Sequence, residues 1–249
     1  MQANAGPPPS AAPGVPEGAR DWAQKLVAAG LNPFAAFATI VVLGFAAGAG
    51  ALWLFATVAE DVAGKESQSL DDAVTAWFRQ FASPGLDVAA RIASALGSEV
   101  LIVLALALIG AFVWWRRWRT VAVIVVTLGG AQLLNDILKE LFHRTRPAPV
   151  SGIIPVQAYS FPSGHAMMSA AFYFLLVCLF WRSVGPKWRP LMVAGAVVVI
   201  GLVAVARIYL QAHYLTDVVA GDAAGFLWTD AVLLGGQVLG GRRKQPAPA

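Results

Sequence analysis

An all-α, polytopic membrane helix bundle with six transmembrane helices is the fold class this sequence predicts, and three observations carry it. Of its 249 residues, 58% are hydrophobic and only 13% charged, which lies outside the range of ordinary soluble domains. Six apolar segments, near residues 34–58, 98–115, 120–141, 164–182, 190–208 and 217–238, each approach the roughly 20 residues that cross a bilayer. The basic residues outside the spans gather in short groups that all fall on one side if the spans number six.

The elements follow in chain order. Residues 1–30, rich in Pro, Ala and Gly, cannot bury enough apolar surface to offset ordering and are expected to be a disordered cytoplasmic tail. Residues 31–240 are expected to form the membrane domain, and 241–249 a cytoplasmic C-terminal tail. The first apolar run is longer than the core of a cleaved signal and is read as a retained span. Its Gly44 and Gly48 have a spacing that permits close helix packing. Residues 60–97 show helical spacing on both sides of a Ser83-Pro84-Gly85 turn. Two amphipathic helices lying on the membrane are expected there, as a simple connector or as a lid or lipid guide. Trp114, Trp115 and Trp118 flank spans two and three, and Trp181 and Trp188 flank the end of span four, as interfacial anchors do.

Orientation follows from the basic groups. Arg20 and Lys25, then Arg116, Arg117 and Arg119, then Arg182, Lys187 and Arg189, then Arg242, Arg243 and Lys244 all mark the cytoplasmic side. Both termini are therefore expected in the cytoplasm of a cytoplasmic-membrane protein, with the opposite loops facing the periplasm or cell exterior. The pI near 9.5 does not point to nucleic acid, because no basic stripe or recognition motif is present. Cys178 is the only cysteine, which excludes an intramolecular disulfide and a Cys-based zinc site.

The costly residues lie on that opposite side. Ser163 and Gly164, ahead of a long apolar run, mark a helix N-terminus that can hold an anion, with Ser163 as the cap and His165 in the first turn. His213 and Asp217 are four apart and, on a helix, share a face. A carboxylate on one imidazole nitrogen fixes the tautomer and directs the other nitrogen's lone pair; Asp217 can equally cap span six, and the two roles are compatible. Lys139, Arg146 and Arg207 stand at span ends, where snorkelling explains any one of them. It does not explain three on the face otherwise poor in basic residues, whereas phosphate recognition does. No His-rich metal-ligand spacing is present. Arg144 is read as a solvated loop charge or a second phosphate contact, and Glu140 as its i,i+4 partner.

Lys139-x6-Arg146-Pro147, Pro162-Ser163-Gly164-His165 and Ala206-Arg207-x5-His213-x3-Asp217 resemble the three signature motifs of the type 2 phosphatidic acid phosphatase superfamily, which includes membrane lipid phosphatases and soluble vanadium haloperoxidases. The resemblance implies a nucleophilic His213 oriented by Asp217 and a general acid in His165. It implies a phosphate clamp of Lys139, Arg146, Arg207, Ser163 and the Gly164 backbone, and no metal or other cofactor. The substrate implied is a lipid phosphomonoester or diphosphate: undecaprenyl diphosphate, phosphatidic acid or phosphatidylglycerol phosphate. Its expected partners are that substrate and membrane lipids, with no oligomeric state indicated. The same phosphohistidine would also serve a phosphotransferase; a non-catalytic lipid-phosphate binder or transporter and, more remotely, a vanadate-dependent haloperoxidase are the other readings. Ala206 departs from the Ser that usually opens the third motif, so any hydrogen bond from that serine is expected to be missing or replaced by water.

Overall fold

The computed structural model describes residues 33–147 and 159–242, and within them it is helical with no strand. The helices are α1 (Pro33–Ala63), α2 (Gln68–Arg79), α3 (Pro84–Ala95), α4 (Glu99–Trp114), α5 (Trp118–Phe142), α6 (Gly164–Phe180), α7 (Arg189–Tyr209) and α8 (Leu215–Arg242), with a 3-10 turn at Pro186–Trp188 before α7. The tail expected over 1–30 lies outside the described residues. So does most of the tail expected over 241–249, although α8 itself runs on to Arg242. Among the described residues, those from Ala46 onward form one packed unit.

Among the described residues, five segments are long and apolar enough to cross a membrane: Val42–Ala63, Pro84–Trp114, Trp118–Phe142, Pro186–Tyr209 and Leu215–Gly236. The fourth expected span is α6, apolar but only 17 residues, about 26 Å at the rise of an α-helix. It is short because it is the central post of the bundle, packed against α5, α7 and α8. Ala166, Met167, Ala171, Phe172 and Leu175 on it are fully buried, as expected of a helix that is hydrophobic all round. The outward faces of its neighbours are apolar too: Ile102, Leu106, Val125, Ile137, Val197 and Val205 are exposed. Apolar side chains inside and outside, with backbone groups satisfied within helices, are what a lipid solvent requires, so the chain is an integral membrane protein.

Two glycines set the distance between α8 and α6. A Cβ on Gly221 would stand 2.6 Å from the Ser163 carbonyl oxygen, and one on Gly225 would collide with the Met167 carbonyl. Their four-residue spacing lets the backbones touch at the start of α6. The glycine pair noted in the first span has another use: Gly48 is buried where a Cβ would lie 2.7 Å from Asp230 Oδ2 of α8.

The 60–97 stretch forms the two expected helices. Ser83 caps α3, its hydroxyl accepting from the Leu86 N–H at 3.4 Å, with Pro84 at the first helical position. Leu70, Trp77, Phe81, Leu86, Val88 and Ile92 face outward. The inner faces, however, do not merely rest on the membrane. Asp71, Thr75, Ala90 and Ser94 are buried, α3 packs along α7, and α2 meets both α7 and α8. The Tyr209 hydroxyl donates to Asp87 at 2.8 Å, and the Ser83 N–H donates to that hydroxyl at 3.2 Å. Such a segment is part of the bundle wall, so a simple connector is the wrong description.

Candidate active site

The local sequence makes the capped N-terminus of α6 directly. Ser163 adopts an extended backbone as N-cap, and its hydroxyl accepts from the Ala166 N–H at 3.5 Å. Its own N–H donates to the Asp217 carbonyl oxygen at 2.8 Å, tying the start of α6 to the start of α8. Gly164 is pinned beneath Asn135 of α5, whose Oδ1 would lie 3.0 Å from an added Cβ. His165 then occupies the first turn, as the sequence predicts.

His213 and Asp217 meet, but not as two residues of one helix. His213 lies in the bend between α7 and α8, two residues before α8 begins, and Asp217 stands in the first turn. The imidazole Nδ1 is 2.8 Å from the Ser160 carbonyl oxygen and 3.5 Å from Asp217 Oδ2. The nearer partner is therefore a main-chain oxygen, and it fixes the tautomer with the proton on Nδ1. Asp217 is linked to that arrangement through Ser160, whose hydroxyl donates to Oδ2. The Tyr214 N–H donates to the same oxygen at 2.9 Å, so Asp217 also caps α8. Ser160 was not singled out from sequence. Its only signal is its position just before Phe161-Pro162-Ser163.

The free imidazole nitrogen points at a cation. His213 Nε2 is 3.3 Å from Arg146 Nη1, which also donates to the Ala212 carbonyl at 2.8 Å, while Nη2 donates to the Tyr159 carbonyl at 3.4 Å. Arg207 Nη1 donates to the Ser94 hydroxyl of α3 at 3.0 Å. The hydroxyl beside this guanidinium is that of Ser94. Lys139, Arg146 and Arg207 lie within range to repel one another, and His165 feels Arg207, His213 and Lys139. The structure therefore gathers all eight residues singled out from the motifs around one point. Beside His165, a cavity of about 280 Å³ opens between α4, α5 and α6, lined by Ser98, Gln132, Asn135, Lys139 and Gly164 among others.

Burial sets the charge states in the loops. It pushes His213 down to about 4, against the pull of Asp217 and with help from Arg207 and Arg146. The imidazole is therefore neutral at neutral pH, with a lone pair on Nε2. Burial also lowers Arg146, partly offset by Asp217, which still leaves it charged.

Arg144 overturns its reading as a solvated loop charge. Only 10% of its side chain is exposed. Nη1 donates to Asp217 Oδ1 at 2.8 Å and to Thr216 Oγ1 at 2.7 Å; Nη2 donates to Asp71 Oδ2 at 2.7 Å and Gln68 Oε1 at 3.2 Å. Burial disfavours its charge, yet Asp217 and Asp71 outweigh burial and the net shift is upward. Glu140 pairs instead with His143, at 3.9 Å. Asp136 accepts from Gln132 at 3.0 Å. No group of three or more potential metal-ligating side chains forms among the described residues.

Comparisons with known proteins give the family. A profile of the PAP2 superfamily matches residues 120–237. The chain is 32% identical over 167 residues to phosphatidylglycerophosphatase B of Bacillus subtilis (strain 168), covering 64% of this chain and 80% of that protein. It is 34% identical over 104 residues to lipid A 1-phosphatase of Rhizobium johnstonii, covering 37% and 38% of the two chains. The crystal structure of a transmembrane PAP2 type phosphatidylglycerolphosphate phosphatase from Bacillus subtilis superposes with a TM-score of 0.68 at 26% identity, over 81% of this chain and 98% of the other. That of Aquifex aeolicus LpxE shares the fold, with a TM-score of 0.52 at 21% identity over 66% of this chain and 95% of the other. With its three motifs converging on one site in a bundle of membrane helices, the chain belongs to the PAP2 superfamily, among its membrane lipid phosphatases.

Proposed function

We propose that this membrane phosphatase hydrolyses a lipid phosphomonoester through a phosphohistidine on His213. The observation that carries the reading is the direction of His213 Nε2. Its ring is fixed through Nδ1 by the Ser160 carbonyl, Nε2 is unprotonated at neutral pH, and it faces the Arg146 guanidinium. A phosphoryl group held between Arg146, Arg207, Lys139 and the N-terminus of α6 would lie in line with that nitrogen. Nε2 forms the P–N bond as the P–O bond to the lipid breaks. His165, protonated once the phosphoryl anion lies beside it, gives that proton to the departing oxygen and afterwards takes one from the attacking water, which displaces His213 and releases phosphate. The cations stabilise the charge that builds on the phosphoryl oxygens, so no metal is required by this scheme. The Asp217 carboxylate offsets the positive charge that the imidazole acquires while phosphorylated.

The site is proposed to open at the periplasmic or exterior face, with both termini cytoplasmic, because the basic connections lie at the other ends of the spans. Cysteines placed near residue 150 should then react with an impermeant reagent in intact cells; protection there would reverse the orientation. A glycerol-based lipid monophosphate is favoured as substrate, because a Bacillus subtilis relative of which this chain covers 80% is named for phosphatidylglycerophosphate. Undecaprenyl diphosphate and phosphatidic acid belong in the same assay. Phosphate release by purified protein in detergent is measured across that panel, with and without EDTA. Turnover of none of the lipids would reject the reading. Loss in EDTA restored by a divalent ion would reject the metal-free scheme.

A further inference from the structure

A buried three-charge relay joins α2 to the nucleophile's carboxylate. Asp71 and Asp217 are both fully buried, and Arg144 bridges them, at 2.7 Å to Asp71 Oδ2 and 2.8 Å to Asp217 Oδ1. Thr216 closes the loop: its N–H donates to Asp71 Oδ1 at 3.1 Å and its hydroxyl to Asp71 Oδ2 at 2.6 Å. Tyr214 lies under the guanidinium, 4.3 Å from its centre. The Arg144 carbonyl accepts the Ser160 N–H at 2.7 Å, so the same residue also holds the backbone whose next carbonyl receives His213 Nδ1. Both terminal nitrogens of this side chain, Nη1 and Nη2, have carboxylate, hydroxyl or amide oxygens within reach. That leaves it unsuited to serve as a second phosphate ligand.

The geometry points to Arg144, held by Asp71, as a positioning residue that fixes Asp217 and with it the basicity and aim of His213. The inference rests on the reading of His213 as nucleophile. Arg144 occupies Oδ1 of Asp217, which leaves Oδ2 for Ser160, Tyr214 and the imidazole. Its charge reduces the field that Asp217 exerts on the ring, so the ring stays neutral and nucleophilic. Asp71 holds the fork in place and shares that charge, so enough of the Asp217 field remains to steady a phosphorylated imidazole. Asp71 lies outside residues 120–237, the family-matched region, so part of the catalytic geometry is supplied by the helix that precedes it. The other charged groups around His213 are Arg146 from the loop after α5, Arg207 from α7 and His165 from α6; Lys139 of α5 acts on both His165 and Asp217. The Arg144 guanidinium itself bonds to Gln68, Asp71, Thr216 and Asp217.

The test is the pH dependence of kcat for lipid-phosphate release by the full-length protein in detergent. Phosphate release by the unaltered protein checks the phosphatase reading; the variants check the inference. Arg144→Met should lower kcat about 100-fold, consistent with a misplaced nucleophile, and move the acid limb up by about one pH unit. Arg144→Lys keeps the charge but not the fork, and should lose about tenfold in kcat with KM within twofold and the acid limb unmoved. Asp71→Asn should also lose about tenfold in kcat, with the acid limb unmoved or shifted down. This last variant leaves the Arg144–Asp217 pair intact and remains informative if Arg144→Met fails to fold. An acid limb that moves up in Asp71→Asn, or kcat within twofold of the unaltered protein in both Asp71→Asn and Arg144→Lys, overturns the inference.

Discussion

Gly221→Ala is the sharpest test of how the fold positions the chemistry. The added Cβ would sit 2.6 Å from the Ser163 carbonyl oxygen, 3.1 Å from the Ala166 Cβ and 3.2 Å from the Met167 nitrogen. None of these is the far end of a flexible side chain; two are backbone atoms in the cap and first turn of α6. Ordinary contact would require α8 to retreat by about half an ångström to one ångström, which in a close-packed interior costs about 1–3 kcal/mol. Helix propensity returns up to about 1 kcal/mol when Gly becomes Ala, so the net loss should be about 1–2 kcal/mol. The effect on rate should be larger than that on stability. The first turn of α8 carries Asp217, whose carbonyl holds the Ser163 N–H, and α6 carries His165. A shift approaching one ångström between nucleophile and acid is expected to cost about 100-fold in kcat. The assay pairs detergent-solubilised thermal unfolding with lipid-phosphate turnover. Gly201→Ala is the control, because nothing lies within 4 Å of its Cβ position. It should be neutral or slightly stabilising, with normal turnover. Wild-type kcat in Gly221→Ala, with an unfolding temperature equal to that of Gly201→Ala, would refute the idea that this close approach registers the two halves of the site.

Other outcomes are expected at single sites. His213 is displaced downward, from 6.5 to about 4, so its charged form is disfavoured by the fold. Its contribution to stability is then complete above pH 6.5 and is lost as pH falls toward 4, about 3 kcal/mol in all. The acid limb of kcat/KM should accordingly lie near pH 4, and a limb near 6.5 would contradict a buried neutral ring. Ser160→Ala removes the hydroxyl donated to Asp217 but keeps the carbonyl that receives His213 Nδ1, so turnover should fall about tenfold with KM little changed. A KM-only effect would place Ser160 among the substrate contacts. Ser94→Ala leaves the largely buried Arg207 fork without its hydroxyl partner and should weaken phosphate handling, seen as a several-fold rise in KM or fall in kcat; no change in either would mean the bond is incidental.

Much of this protein is determined by local sequence. Helix starts and ends follow from caps and breakers: Ser163 begins α6, Ser83 with Pro84 begins α3, and the six apolar runs each become a helix within a few residues. The motif residues announce themselves because charge is expensive beside lipid and demands a use. What the sequence could not reveal are contacts between residues far apart along the chain. Arg144 looked like a loop charge because its partners, Asp71 and Asp217, are both 73 positions away on opposite sides. Ser94 is 113 residues from Arg207, and the atom of Ser160 that receives His213 is a main-chain oxygen, which carries no side-chain signature. The four-residue spacing of His213 and Asp217 suggested one helix. The tertiary structure instead ends α7 before His213, so that its ring turns back to the Ser160 carbonyl while Asp217 caps α8. Local propensity and hydropathy thus fixed which residues are helical and which are costly. Only packing, through the Gly221 approach and the buried Arg144 bridge, decided which of the costly residues touch.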